Sequence, residues 1–122
     1  MKLNTLSIVI AYSGENQYLD ELMASILANS NLHEIIIGVD ETKVSKAHAI
    51  EVWSHWTIAA HEKGIPFAIT FSQKPGPSAV RNAAIAHSGS DLILPVDSDD
   101  KISNSYVQRI IEAFNSDPSM IR

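Results

Sequence analysis

The chain has 122 residues, a formal net charge of −5 and no cysteine. This length fits one small domain, and the negative charge argues against general nucleic-acid binding, which needs a basic surface. The absence of cysteine excludes disulfides and thiolate metal sites and fits the reducing cytoplasm, where we expect the protein to lie. No apolar run reaches the length of a membrane span.

Short apolar runs alternate along the chain with longer amphipathic segments. The apolar runs predict strands, and segments with apolar residues at helical spacing predict helices. The predicted elements are a strand at Leu6–Tyr12, a helix over Leu19–Leu27 with Asn16 as its N-cap, a strand at His33–Val39, a helix at Thr42–Lys63, a strand at Phe67–Ser72, a short helix within Pro77–Gly89, a strand at Asp91–Val96 and a helix over Tyr106–Phe114 that Ser103 or Asn104 opens and that ends before Pro118.

The order of these elements predicts an α/β fold of four strand–helix units. Strands that are joined by helices of this length pair in parallel, and their crossovers are almost always right-handed. We therefore expect an open parallel sheet with helices on both faces. The sequence contains no internal repeat, no low-complexity segment and no linker.

Acidic residues follow two of the predicted strands. Asp40 comes after the second strand, and Asp97, Asp99 and Asp100 come after the fourth. In an open α/β sheet the ligand lies beyond the carboxyl ends of the strands, so these acids are predicted to gather at one edge. Carboxylates in an Asp-x-Asp spacing suit Mg²⁺ or Mn²⁺. The same acids are also typical of turns and helix caps, and Arg81 is either a surface ion-pair partner or a neutraliser of this edge.

Four segments resemble the N-terminal, nucleotide-sugar-binding half of the family 2 glycosyltransferases, which have the GT-A fold. They are "SIVIAYSGENQYLDELMASIL" (7–27), "EIIIGVDET" (34–42), "GPSAVRNAAIAHSGSDLI" (76–93) and "LPVDSDD" (94–100). The last two are similar to the family's arginine–asparagine helix and to its metal-binding Asp-x-Asp. Where the family often has a tyrosine near the base, this chain has Ser13, and Tyr12 is one place away.

The resemblance implies a role for each candidate residue. Asp40 would accept a hydrogen bond from the nucleotide base, and Arg81 would shape the nucleotide pocket. Asp97 would lie by the ribose and the metal, and Asp99 would be the direct ligand of a Mn²⁺ or Mg²⁺ ion that holds the diphosphate. The ion and the diphosphate together would stabilise the leaving group.

The implied activity is transfer of a sugar from a nucleotide-diphospho-sugar to a saccharide or lipid-linked acceptor. Residues 1–122 would be the donor-binding portion, with the acceptor half and the catalytic base absent, so we expect no transfer by this chain alone. The resemblance also implies that later strands flank the fourth strand. Its edge would be exposed here, and we expect a homo-oligomer to form through it.

Three other functions stay open. A non-catalytic sugar-nucleotide-binding domain of the nucleotidyltransferase type would share the sheet and the acids, but it usually has a glycine-rich basic loop after its first strand. A signalling receiver domain needs an acid after its third strand and a lysine after a fifth strand, and neither is found here. A scaffold domain in which the acids only cap helices would bind no nucleotide.

Overall fold

The computed structural model describes residues 5–29, 32–90, 92–97 and 106–116. Within these ranges four strands alternate with four helices, as predicted. They are β1 (Leu6–Tyr12), α1 (Leu19–Leu27), β2 (Leu32–Asp40), α2 (Lys46–Glu62), β3 (Phe67–Ser72), α3 (Pro77–Ile85), β4 (Leu92–Asp97) and α4 (Tyr106–Ser116). The Asp99 and Asp100 carboxylates, the expected start of the fourth helix and Pro118 lie outside the described residues.

The four strands form one parallel sheet in the order β3-β2-β1-β4. The chain adds β2 and β3 on one side of β1 and then crosses back to add β4 on the other side. This reversal places a topological switch point between β1 and β4, and ligands of open α/β sheets bind at the carboxyl end of such a point. The predicted α/β class and open parallel sheet are confirmed.

Helices cover both faces of the sheet because right-handed crossovers in opposite directions lie on opposite faces. The β1 side chains Leu6, Ile8 and Ile10 are fully buried in a core that includes residues of α1, α2 and α4. On the opposite face, Val9 packs in a smaller cluster with Ile36 of β2 and Ala84 of α3. β1 is therefore buried on both faces, which explains its continuous apolar sequence.

One predicted helix start and one predicted N-cap are wrong. The second helix begins at Lys46 after the N-cap Ser45, whose hydroxyl accepts a hydrogen bond from the His48 N–H at 3.2 Å. Thr42, the predicted first residue, lies in a turn because its N–H donates to the Asp40 side chain. Asn16 does not cap α1; its side chain instead accepts a hydrogen bond from the Tyr12 hydroxyl at 2.6 Å, and Tyr18 occupies the N-cap position.

The two outer strands of the described sheet are β3 and β4. The Leu92 N–H donates to the Thr5 carbonyl at 3.1 Å, so it points towards β1. Because strand N–H groups alternate in direction, those of Ile93 and Asp97 point away from β1, and Pro95, which has no N–H, occupies the outward position between them. None of the described helices is long and apolar enough to cross a membrane.

Candidate functional site

The candidate site lies at the carboxyl edge of the sheet. In the ladder Asp97 is opposite Ala11 of β1, and Ala11 is opposite Gly38 of β2. Asp40 is two residues beyond Gly38, at the end of its strand. With strands about 4.8 Å apart and a rise of about 3.3 Å per residue, the Cα atoms of Asp40 and Asp97 are about 12 Å apart, on either side of the end of β1. The two acid-bearing strand ends therefore lie on either side of β1 at the same edge of the sheet.

Asp40 is the best-defined residue of this edge. Its side chain is only 3% exposed, and both carboxylate oxygens accept hydrogen bonds from the chain. Oδ1 accepts from the Thr42 N–H at 2.9 Å and from the Thr42 hydroxyl, and Oδ2 accepts a longer bond of 3.4 Å from the Gly76 N–H. The carboxylate thus joins the turn after β2 to the loop that begins α3.

These hydrogen bonds stabilise the charged form of Asp40. The Thr42 hydroxyl contributes most to lowering the pKa of the carboxyl below its ordinary value, against the opposing effect of burial. The backbone N–H groups of Thr42 and Gly76 and the positive charge of Lys43 lower the pKa further. Asp40 is consequently an acceptor-only carboxylate at neutral pH.

The loop between β3 and α3 is held at its start and at its end. The Ser72 hydroxyl donates to the Lys74 carbonyl at 2.9 Å and accepts from the Lys74 N–H at 3.2 Å. Gly76, the N-cap of α3, has φ +101°, a conformation that favours glycine, and its N–H donates to Asp40. Arg81 lies five residues further on in α3 and is half-buried.

The loop after β1 packs against the turn after β2. Gly14 has φ +110°, and a Cβ added to it would lie 3.3 Å from Cγ2 of Val44. Ser13, at the position where the resemblance predicts the family's tyrosine, donates its hydroxyl to the Glu15 carboxylate at 2.8 Å. Val44 and Asp40 therefore link three neighbouring loops. We call these loops the rim: β1–α1 (13–18), β2–α2 (41–45) and β3–α3 (73–76).

Tyr12 points away from this rim into the core. Its ring is fully buried and meets Trp53 edge to face, with centroids 5.5 Å apart. Burial raises the pKa of its hydroxyl, which donates to Asn16. The Tyr12 ring is part of the packing of α2 on the sheet, and it offers no face for a base to stack on.

The predicted metal ligands are only partly within the described structure. Asp97 is the last residue of β4, and Asp99 lies outside the described residues. Across the ranges that are described, no three histidine or acidic residues are grouped closely enough to hold a metal ion. The chemistry of the donor set still fits a hard divalent cation, since Asp97 and Asp99 both supply carboxylate oxygens.

The family model for glycosyl transferase family 2 matches residues 7–121 of the chain. The chain belongs to this family. The match begins at the second residue of β1 and runs beyond α4, so it covers the four strand–helix units of this glycosyl transferase family 2 chain except Leu6. No curated protein sequence matches the chain significantly.

Solved structures similar to this family 2 chain share its fold. TarS from S. aureus matches 95% of the chain with a TM-score of 0.69 and 16% identity. TarS 1-349 in complex with UDP matches 95% of the chain with a TM-score of 0.67 and 20% identity. A second structure of TarS 1-349 also matches 95% of the chain, with a TM-score of 0.70 and 18% identity. The family 2 chain spans 20% of the full TarS chain and 32% and 33% of the shorter ones.

Sequence reasoning missed the residues that hold Asp40 in the family 2 chain. The sequence pattern predicts Thr42 as the start of a helix, and it assigns Gly76 no role in the site. An Asp followed two residues later by a residue with a free N–H is a known turn signal, so the Thr42 contact had a local signature. The Gly76 contact joins residues 36 positions apart and had none.

Proposed function

We propose that the chain is the donor-binding part of a metal-dependent glycosyltransferase that uses a nucleotide-diphospho-sugar. The observation that carries the proposal is the position of two acid-bearing strand ends, at Asp40 and Asp97, on either side of the switch point in a family 2 chain. A nucleotide that lies across the end of β1 would reach both. The similarity to TarS 1-349 in complex with UDP supports a nucleotide diphosphate as the ligand class.

Each candidate residue has a separate task in this proposal. Asp40 accepts a hydrogen bond from the base, and its charged state at neutral pH suits this task. Arg81 shapes the nucleotide pocket from α3. Asp97 and Asp99 hold Mn²⁺ or Mg²⁺, which when bound stabilises the negative charge of the leaving diphosphate. The chain spans 20% to 33% of the TarS chains to which it is similar, and we propose that these 122 residues alone bind donor without transferring sugar.

Calorimetric titration with UDP, in Mn²⁺ and in EDTA, tests the proposal. The wild-type chain is expected to bind UDP in Mn²⁺ and much more weakly in EDTA. Asp99→Asn should weaken binding in Mn²⁺ by roughly 10- to 100-fold. Mutation of a residue that only hydrogen-bonds to a metal ligand already lowers metal affinity by this factor, and Asp99 is the proposed ligand itself. The matched control is Asp20→Asn, which neutralises an exposed acid in the first turn of α1.

One observation favours a second function, a non-catalytic scaffold. Asp40 already accepts hydrogen bonds from Thr42 and Gly76, as an acid that only braces its own loops would. A scaffold would bind UDP equally weakly with Mn²⁺, with EDTA and after Asp99→Asn. The acceptor class and the cytoplasmic location stay predictions under either function.

A further inference from the structure

The Asp40 carboxylate is held asymmetrically. Two donors from Thr42, the backbone N–H at 2.9 Å and the side-chain hydroxyl, converge on Oδ1. A carboxylate oxygen has two lone pairs, so these donors occupy Oδ1. From the described part of the chain, Oδ2 accepts a bond from the Gly76 nitrogen at 3.4 Å, which is the weakest of the three because it is the longest. Oδ2 therefore has the remaining capacity to accept a bond from a ligand.

The same contacts join two loops of the rim. Thr42 lies in the turn after β2, and Gly76 is the residue at which α3 begins. The Glu41 N–H adds a backbone bond of 2.9 Å to the Ser72 carbonyl, which ties the start of the turn to the end of β3. If the carboxylate rotated, Oδ2 would leave Gly76, and the side-chain connection between these loops would be lost.

We propose that Thr42 is a positioning residue for the candidate nucleotide site, fixing the Asp40 carboxylate so that Oδ2 faces Gly76 and the bound ligand. Thr42 acts through Asp40 and needs no contact with the nucleotide. The proposal rests on the proposed function for its effect on binding, whereas its effect on the Asp40–Gly76 contact is independent of any ligand.

The test uses Thr42→Val, which keeps the shape of the side chain and removes the hydroxyl, and Thr42→Ser, which keeps the hydroxyl. Thr57→Val is the matched control, because the Thr57 hydroxyl donates to the Trp53 carbonyl within α2 at 2.9 Å, away from the rim. The Gly76 backbone amide resonance reports the hydrogen bond to Asp40, and titration with UDP in Mn²⁺ reports affinity.

Thr42→Val is expected to shift the Gly76 amide resonance. It should also weaken UDP binding about tenfold, because a displaced Asp40 carboxylate would lose one hydrogen bond between this charged group and the ligand. Thr42→Ser should restore both values, and Thr57→Val should change neither. In an Asp40→Asn background, Thr42→Val should have no further effect on affinity, because a residue that acts through Asp40 is not additive with it.

Two results would overturn the proposal: a Gly76 resonance that is unchanged by Thr42→Val, or effects of Thr42→Val and Asp40→Asn on affinity that simply add. A wild-type chain that binds no UDP would instead remove the proposed function. The Gly76 resonance would then still decide whether Thr42 fixes Asp40.

Discussion

Val80 of α3 lies directly against the backbone of Gly38 in β2. A Cβ added to Gly38 would be 2.9 Å from Cγ1 of Val80 and 2.9 Å from its carbonyl oxygen, and 3.3 Å from Cβ of Ala84. The contact includes backbone, which moves less readily than the end of a flexible side chain. This close approach holds α3, which carries Arg81, onto the sheet two residues before Asp40.

Gly38→Ala is therefore expected to destabilise the chain by about 1–3 kcal/mol, the usual cost of overpacking a core. Gly89→Ala is the matched control, since nothing lies within 4 Å of a Cβ at Gly89 and its φ is not in the left-handed region. Urea unfolding followed by circular dichroism measures both variants. Equal stability of Gly38→Ala and Gly89→Ala would show that α3 is not packed this closely on β2.

A second long-range contact holds α4. Asn29 follows α1 and is 6% exposed. Its Oδ1 accepts a hydrogen bond of 2.9 Å from the Val107 N–H in the first turn of α4. Its Nδ2 donates a hydrogen bond of 2.8 Å to the Ser25 carbonyl in α1. Asn29→Ala leaves the buried Val107 N–H without this acceptor and should cost about 1–3 kcal/mol. The same unfolding experiment measures it, with Asn82→Ala on the exposed side of α3 as the control. No difference between the two variants would exclude this role of Asn29.

The strand positions could be predicted from the sequence, whereas the long-range contacts of Gly38 and Asn29 could not. The strands at Leu6–Tyr12 and Phe67–Ser72 match their predicted bounds to the residue because an apolar run between polar segments is a local signal. The parallel pairing follows from the lengths of the connections. The helices on both faces follow from right-handed crossovers that run in opposite directions. The small side chain of Ala84 in α3 allows the close approach of this helix to Gly38.

The side-chain roles are less readable, because each depends on a partner that the local pattern does not reveal. Asn16 resembles an N-cap until the buried Tyr12 hydroxyl is seen to use its side chain. The sequence around Thr42 predicts a helix start, but in the structure the Thr42 N–H donates a hydrogen bond to the Asp40 carboxylate. The predicted roles of Asp97 and Asp99 stay predictions, since the described structure holds the backbone of Asp97 and does not include Asp99.

A network of polar side chains lies at the amino ends of the strands, opposite the candidate site, and it affects the stability of the fold at acid pH. The buried Ser7 hydroxyl donates to Glu34 at 2.7 Å, and the Gly89 N–H donates to the same carboxylate oxygen at 2.9 Å. Ser88 donates to Ser7 at 3.1 Å. Burial disfavours the charged form of Glu34, but the bonds from Ser7, Gly89 and Ser88 and the nearby His33 outweigh it, so its pKa lies below the ordinary value of 4.5.

A carboxyl whose pKa is lower in the folded state stabilises the fold above its unfolded pKa, and that stability is lost as the pH falls through the folded pKa. The free energy of unfolding of the wild-type chain should therefore decrease as the pH is lowered from about 5 to below the folded pKa of Glu34. Asp40 contributes with the same sign. Glu34→Gln should be less stable than wild type at pH 7, and the difference should shrink at acid pH.

Urea unfolding at a series of pH values from about 7 to about 3 measures this difference, with Glu51→Gln on the exposed face of α2 as the control. A constant difference between wild type and Glu34→Gln across that range would mean that the charge of Glu34 has no part in the network.

The last prediction concerns the outer edge of β4, where we expect a second copy of the chain to pair. The outward N–H groups of Ile93 and Asp97 are separated by Pro95, which is exposed and has no N–H to donate. A strand that pairs there loses one ladder bond, so association should be weak. Pro95→Val restores this donor and should strengthen association, whereas Pro95→Lys places a charge that edge strands use to prevent pairing.

Sedimentation velocity over a range of concentrations measures the association of the three chains. Pro95→Val is expected to self-associate most strongly, the wild-type chain less strongly and Pro95→Lys least. Pro66→Lys, which alters an exposed proline before the other outer strand, should behave as wild type. A wild-type chain and a Pro95→Val variant that both stay monomeric at the highest concentration would show that the β4 edge does not recruit a second copy, because the restored donor would then have found no partner.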